Sequence, residues 1–122
     1  MKTIIAGGRA YQLTNRDCLF LDEQAHELPI TEVVTGRAKG ADKGGEEWAN
    51  GRHIKVTPFP ADWDKHGKSA GPIRNGEMAK YADVLIAFPG GNGTADMIDQ
   101  AVESGLKVLV VRDGEIAWSY GF

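Results

Sequence analysis

The sequence predicts an α/β fold in which helices cover both faces of a five-stranded parallel sheet, with the strand order 3-2-1-4-5. Two observations lead to this prediction. Five short apolar runs alternate along the chain with segments of helical spacing, and many of the sixteen glycines directly follow the apolar runs. At 122 residues the chain has the length of one domain, and no linker or internal repeat interrupts the pattern.

The first half of the chain supplies two pairs of strand and helix. The first apolar run is β-branched and ends at glycine, which is the form of a fully buried parallel strand. Pro29 closes the first helix, and Gly51 suits the left-handed position that ends the second. In order, we predict a strand over 2–6, a helix over 13–28, a strand over 31–35 and a helix over 41–50.

The second half continues the alternation after one irregular segment. Pro58 and Pro60 indicate that the third strand lies at an edge of the sheet or loses its ladder partners. Residues 61–72 are too polar and glycine-rich for regular structure, whereas Thr94 suits the cap of the last helix and Gly105 its end. In order, we predict a strand over 54–59, a helix over 73–81, a strand over 83–88, a helix from Thr94 and a strand over 107–111.

The segment that follows the fifth strand, residues 115–122, is unusually aromatic. It contains Trp118, Tyr120 and Phe122. Side chains of this size usually find a surface that removes them from water. Two interpretations are equally open, because the segment either docks on its own domain or packs against a second subunit.

The composition narrows the classes of partner and site. A formal charge of −3 gives no basic excess, so nucleic acid is not an expected partner, although one loop can still bind a small anion. His26, His53 and His66 stand at no metal-ligand or catalytic-triad spacing. We therefore expect no metal and no cofactor. The lone Cys18 and the absence of a signal peptide or membrane span predict a cytoplasmic protein without a membrane partner.

Two glycine-rich loops are expected to meet where the strand order reverses, which is where open α/β sheets bind ligands. These are Gly7-Gly8-Arg9 and Pro89 to Thr94. Glycine lets the backbone turn sharply and approach an anion, and the helix that follows presents unpaired amides and the positive end of its dipole. An ordinary tight turn explains Gly7-Gly8 or Gly44-Gly45 equally well. It explains the loop from Pro89 to Thr94 less well, because that loop has three glycines and a hydroxyl.

Several side chains near the predicted loops have both a functional and an ordinary interpretation. Arg74 stands near a helix start, where a cation opposes the dipole, so an anion contact explains it better than local stability. Arg9 and Arg37 follow strand ends and are either phosphate ligands or loop surface. Trp63 either stacks on a base or fixes its loop to the core, and Asp42 is either a first-turn acid or a ribose ligand.

Several strings resemble one superfamily of nucleotide-binding proteins. Residues 89–94 (PGGNGT) resemble the PGGxGTxxE signature of the SLOG superfamily, which includes the LOG phosphoribohydrolases and the DNA-processing protein of transformation. Residues 74–78 (RNGEM) resemble the RKxxM element of the LOG enzymes. Residues 36–42, 59–63 and 71–75 are similar to the small single-domain branch named after YspA, which is common in bacteria and phages.

The resemblance implies a Rossmann-like three-layer sandwich that binds nucleoside monophosphates or ADP-ribose derivatives, often as a homodimer or higher homo-oligomer. LOG enzymes cleave the N-glycosidic bond of nucleoside 5′-monophosphates, and the resemblance implies catalytic roles for Arg74 and for the glutamate that ends the signature. In this chain that position holds Met97, preceded by Asp96. A thioether cannot accept a proton, so the enzymatic mechanism does not transfer directly.

Three hypotheses follow from these observations. The first is a domain that binds or senses a nucleotide derivative. The second is an N-glycosidase in which Arg74 acts with Asp96 or Glu77 in place of the missing glutamate. The third is a DNA-associated module, which the acidic balance disfavours. The candidate ligand-binding residues are Gly7, Gly8, Arg9, Gly36, Arg37, Gly40, Asp42, Trp63, Arg74, Asn75, Pro89, Gly90, Gly91, Asn92, Gly93 and Thr94.

Overall fold

The fold is a six-stranded sheet between two layers of helices, described here for residues 1–122 by a computed structural model. The strands are β1 (Lys2–Ala6), β2 (Glu32–Thr35), β3 (Lys55–Pro58), β4 (Val84–Ala87), β5 (Lys107–Arg112) and β6 (Glu115–Tyr120). The helices are α1 (Asn15–Glu27), α2 (Ala41–Gly51), α3 (Trp63–His66), α4 (Ala70–Tyr81) and α5 (Asn92–Glu103). None of them is long and apolar enough to cross a membrane.

The strand order is β3-β2-β1-β4-β5-β6. The first five strands are parallel and stand in the predicted order, so the predicted fold class is confirmed. The sixth strand was not predicted: it pairs antiparallel with β5 after a tight turn at Asp113 and Gly114, both of which have positive φ. Such a turn matches the twist of a hairpin, so the chain can reverse at once without a crossover helix.

The core lies on both faces of the sheet because alternate residues of each buried strand point to opposite sides. Ile5 belongs to the cluster under α1 and α2, whereas its neighbour Ile4 belongs to the cluster under α4 and α5. Both isoleucines are completely or almost completely inaccessible to water. Each such side chain contributes roughly 1.5–3 kcal/mol through burial. The continuous apolar character of the central strands follows from this double coverage.

The two edges of the sheet differ. Strand β3 forms one edge, as the prolines predicted, and Pro58 still aligns with Thr35 of β2. Strand β6 forms the other edge and leaves all six of its residues exposed. Two interpretations of the aromatic segment were open. Its backbone docks on its own domain, because β6 pairs with β5. The side chains of Trp118 and Tyr120 stack on each other and are 46% and 43% exposed, so packing against a second subunit stays a prediction.

Three local predictions were wrong. The segment 61–72 is not irregular: it contains α3, a single 3₁₀ turn and the start of α4, because Asp62 caps α3 by accepting the Lys65 amide at 3.0 Å and proline is tolerated in a first helical turn. Gly51 is the last residue of α2 and does not take the left-handed conformation, which His53 takes instead. Helix α5 begins at Asn92, so Thr94 lies within its first turn and does not cap it.

The loop between β1 and α1 is held by a buried carboxylate. Thr14 and Asp17 form a capping box, in which Asp17 Oδ2 accepts the Thr14 amide at 3.0 Å and Thr14 Oγ1 accepts the Asp17 amide at 3.1 Å. The same carboxylate accepts the phenol of Tyr11, whose ring stacks on Phe88 with centroids 6.0 Å apart. These contacts fix the loop that carries Gly7-Gly8-Arg9.

The Tyr11→Phe variant is expected to lose less stability than the wild type at strongly alkaline pH. Burial, followed by the hydrogen bond to Asp17, raises the pKa of Tyr11 from 10.0 to about 12. The folded state therefore holds the phenol proton more tightly than the unfolded chain. This contribution to stability is complete below pH 10 and is lost as the pH rises towards about 12. Urea unfolding at neutral pH and near pH 11 measures the free energy of unfolding of both proteins. If both lose the same free energy between the two pH values, the prediction is contradicted.

Candidate functional site

A cavity of about 590 Å³ opens at the carboxyl ends of β1 and β4, where the strand order reverses. The loops after these two strands form part of its wall and contact each other directly, because the Gly8 amide donates to the Pro89 carbonyl at 2.9 Å. The deeper wall is apolar and includes Ile5, Met78 and Met97. A volume in this range accommodates a nucleotide-sized molecule.

The glycines of the 89–94 loop have two different roles. A Cβ on Gly90 would lie 2.7 Å from the Gly8 nitrogen and overlap the Thr94 hydroxyl, so Gly90 is needed for the two loops to approach. Gly91 and Gly93 have open space where a Cβ would stand, and both line the cavity. Packing within the chain therefore explains Gly90 but neither Gly91 nor Gly93.

The first turn of α5 faces the cavity. Gly91, the residue before the helix, has no side chain that could cap it. Asn92, Gly93 and Thr94 of the first turn all line the cavity. The amides of a first turn have no acceptor within the helix, and they carry the positive end of its dipole. The arrangement favours an anion at this end of α5.

Helices α4 and α5 are joined by side-chain hydrogen bonds beside this turn. Asn75 Nδ2 donates to Asp96 Oδ2 at 2.9 Å and to the Gly93 carbonyl at 3.3 Å. Gln100 Nε2 donates to the same Asp96 oxygen at 2.8 Å and to the Pro72 carbonyl at 2.9 Å. Asp96 lines the cavity, and its Oδ2 oxygen is occupied by these two donors. The contacts fix α4 relative to the amino end of α5.

Arg74 is a partly buried cation that the fold aims into the cavity from α4. Its Nη1 donates to the Gly36 carbonyl, and its Nε donates to Asn75 Oδ1 at 3.1 Å. A Cβ on Gly36 would overlap the guanidinium, so the glycine makes room for it. These two hydrogen bonds use Nε and Nη1, which leaves Nη2 for a ligand.

The charges around Arg74 are incompletely balanced. Burial lowers the pKa of Arg74, which the carboxylate of Asp42 opposes and the charge of Arg9 reinforces. Burial raises the pKa of Asp42, and the Ala38 amide, which donates to it at 3.2 Å, acts in the opposite direction together with Arg74. Arg74 forms no ion pair within 4 Å. A cation desolvated in this way gains when an anion enters beside it.

Trp63 stands at the mouth of the cavity. Its side chain is 49% exposed, and the Arg9 guanidinium lies over its ring, 5.8 Å from the centroid. Both residues line the cavity. The indole is therefore not the buried anchor of its loop, since α3 has no buried residue at all. An exposed aromatic face of this kind can stack on a planar group.

Most of the predicted site residues line the main cavity, and six do not. Gly36 and Arg37 line an adjoining cavity, whereas Gly40, Pro89 and Gly90 lie in the loops behind the wall. Glu77 is exposed on α4 and lines neither cavity. The residues that line the main cavity are Gly7, Gly8, Arg9, Asp42, Trp63, Arg74, Asn75, Gly91, Asn92, Gly93, Thr94 and Asp96.

Gln100, which helps to hold Asp96, was not among the residues predicted from the sequence. The signal for it is the spacing of four residues between Asp96 and Gln100, which places both on the same helix face. The apolar wall formed by Ile5 and Met78 was not predicted either, because the sequence does not distinguish an apolar residue that lines a cavity from one in the core.

Solved structures share the fold at low sequence identity. The X-ray structure of TM1055, a Northeast Structural Genomics Consortium target, matches with a TM-score of 0.69 at 18% identity and covers 93% of this chain and 76% of that chain. DNA processing protein A (DprA) from Streptococcus pneumoniae matches with a TM-score of 0.67 at 18% identity. That match covers 93% of this chain but only 52% of the DprA chain.

Sequence comparison gives a nearer relative and a family. The Gene 61 protein of Mycobacterium phage D29 is 37% identical over 121 residues, which covers 92% of this chain and 97% of that protein. The family model described as "YspA, cpYpsA-related SLOG family" matches residues 1–66, which is more than half of the chain and includes β1, α1, β2, α2 and β3. Together with the shared fold, these matches show that the chain belongs to the YspA, cpYpsA-related SLOG family.

Proposed function

We propose that this protein binds a nucleotide-type ligand whose phosphate lies between the amino end of α5 and the guanidinium of Arg74. The observation that carries the proposal is the convergence of these two anion-binding groups on one cavity of about 590 Å³. Helix amides supply directional donors, and an arginine adds a charged fork that suits phosphate oxygens. Arg74 forms no ion pair within 4 Å, and the Asp42 carboxylate interacts with it only at longer range.

The remainder of the cavity suits a nucleoside. Trp63 offers an aromatic face at the mouth for stacking on a base, and Met78 and Met97 offer an apolar wall. Membership of the SLOG family supports a nucleotide-related ligand in the same cavity. We infer a nucleoside monophosphate or a larger nucleotide derivative, such as one of the ADP-ribose class.

The proposal is for binding without cleavage. Two carboxylates line the cavity, and each is already engaged: Asp42 is buried and accepts the Ala38 amide, while Asp96 accepts Asn75 and Gln100. Met97, which stands at the position of the glutamate in the resembling signature, is 1% exposed and cannot transfer a proton. Neither carboxylate therefore has both oxygens available for the proton transfers of glycosidic cleavage.

A nucleotide panel tests the proposal through thermal stabilisation. A ligand that binds only the folded state raises the free energy of unfolding by about 2.7 kcal/mol at a hundred times its Kd. We expect at least one nucleoside 5′-monophosphate or ADP-ribose to raise the Tm of the wild type. Liquid chromatography of the same mixtures after prolonged incubation should show the nucleotide intact, and release of free base would overturn the proposal of binding without cleavage.

The Gly91→Asp variant is expected to lose this stabilisation while remaining folded. Gly91 has open space where a side chain would stand, so an aspartate meets no other part of the chain and places a carboxylate where the phosphate is proposed to lie. The matched control is Gly51→Asp, which adds the same charge at an equally open position at the far end of α2. The proposal fails if Gly91→Asp responds to nucleotide like the control.

A further inference from the structure

A second cavity of about 390 Å³ adjoins the first. The two share Arg9, Ala38, Trp63 and Arg74 as lining residues, so they are adjoining compartments that meet at these residues. The proposed phosphate site belongs to the first compartment. The second compartment differs from the first in the charge of the residues that line it.

The second compartment is lined by four cations and by no carboxylate. The cations are Arg9, Arg37, Lys39 and Arg74. Only Arg37 has an ion-pair partner, Glu46 at 3.7 Å, and its side chain is 54% exposed. The overall charge of the chain is −3, so this local excess of positive charge is a feature of this compartment and not of the whole surface. Like charges gathered in this way repel each other, and an anion between them reduces that repulsion.

The backbone of Arg37 is held in a conformation that is uncommon for a residue with a side chain. Its φ is +59°, in the left-handed region that favours glycine. The Arg37 amide donates to Thr35 Oγ1 at 3.2 Å, and the Thr35 hydroxyl in turn donates to Glu46 at 3.1 Å. The surrounding contacts therefore hold the strained residue at the second cavity, which it lines.

We propose that the ligand carries at least two phosphate groups, the second of which lies among Arg9, Arg37 and Lys39. The inference rests on the proposed function, because the first phosphate is the one at α5 and Arg74. Arg9 and Arg74 border both compartments, so a pyrophosphate would pass between them from one compartment to the other. The chemical class is a nucleoside diphosphate, either free or extended by a further group as in ADP-ribose.

Calorimetric titration compares 5′-monophosphates with 5′-diphosphates of adenosine, guanosine, cytidine and uridine, and includes ADP-ribose. For the base that binds, we expect the wild type to bind the diphosphate at least about tenfold more tightly than the monophosphate, which corresponds to about 1.4 kcal/mol. The Arg37→Gln/Lys39→Gln double variant is expected to reduce that ratio to about one. Preference for ADP-ribose over the free diphosphate would identify the extended form of the ligand.

The matched control is Lys43→Gln/Lys80→Gln, which removes the same charge at two exposed residues outside both compartments. The control should keep the wild-type preference for the diphosphate, and circular dichroism should show all three proteins folded. The inference is overturned alone if a monophosphate binds the wild type as tightly as its diphosphate, or if the Arg37/Lys39 variant keeps the full preference. Failure of every nucleotide to bind would remove the proposed function itself and the inference with it.

Discussion

Replacing Gly40 by alanine is expected to lower the free energy of unfolding by about 2–4 kcal/mol. Gly40 has φ +73° and ψ −125°, a conformation that residues with a side chain rarely adopt. A Cβ there would also stand about 2.5 Å from the Arg9 carbonyl oxygen and overlap that of Gly8. Both obstacles are backbone atoms, so the loop after β1 would have to move away from the start of α2.

Urea denaturation of Gly40→Ala and of the matched variant Gly51→Ala measures this effect. Gly51 lies in helix α2 with open space where its Cβ would stand, so alanine there should stabilise the protein by about 0.5–1 kcal/mol. The same chemical change is thus expected to have opposite signs at the two ends of one helix. An unchanged unfolding midpoint for Gly40→Ala would show that the contact between the two loops is not needed for the fold.

Replacing Arg74 by glutamine is expected to weaken binding of the nucleotide by about a hundredfold, or roughly 2.7 kcal/mol. Glutamine removes the charge and the Nη2 donor, which the hydrogen bonds to Gly36 and Asn75 do not use. The matched control, Lys80→Gln, removes a positive charge from an exposed position on the same helix. Calorimetric titration compares the affinities, and a change of less than about twofold for Arg74→Gln would contradict the proposed phosphate site.

The stability of the Arg74→Gln variant should depend more strongly on pH than that of the wild type. Without Arg74, the buried carboxylate of Asp42 loses the positive charge that lowers its pKa, while burial continues to raise it. A carboxyl group whose folded pKa exceeds its unfolded value costs stability as the pH rises through that interval. The stability deficit of Arg74→Gln relative to the wild type should therefore be smaller in mildly acidic solution than at neutral pH.

The sequence predicted the parallel part of the fold because its information is local. Strands such as β4 are short apolar runs bounded by turn residues, and right-handed crossovers leave few arrangements for five of them. Strand β6 was not predicted, because its six residues are all exposed and its pairing depends on a two-residue turn at Asp113 and Gly114. Helix α3 and the start of α4 were not predicted, because residues 61–72 look irregular by composition. Asp62 nevertheless caps α3.

The candidate site was predictable where a motif marks it and not where tertiary contacts create it. The loop from Pro89 to Thr94 identifies itself by its glycines. The different roles of its glycines cannot be predicted from the sequence, because only the packed structure shows that Gly90 faces the Gly8 backbone while Gly91 faces open space. The bridge from Asn75 to Asp96 likewise joins residues 21 positions apart, a distance that no local pattern reports.

The bridge formed by Asn75, Asp96 and Gln100 has a consequence for how a ligand would enter. It makes the amino end of α5 and the root of Arg74 one rigid wall, already set before any ligand arrives. The facing wall is the four-residue helix α3, which has no buried residue to anchor it. For the proposed nucleotide we therefore expect the entropy cost of association to fall mainly on the side of Trp63, with the phosphate site formed in advance and the contacts to the base made during binding.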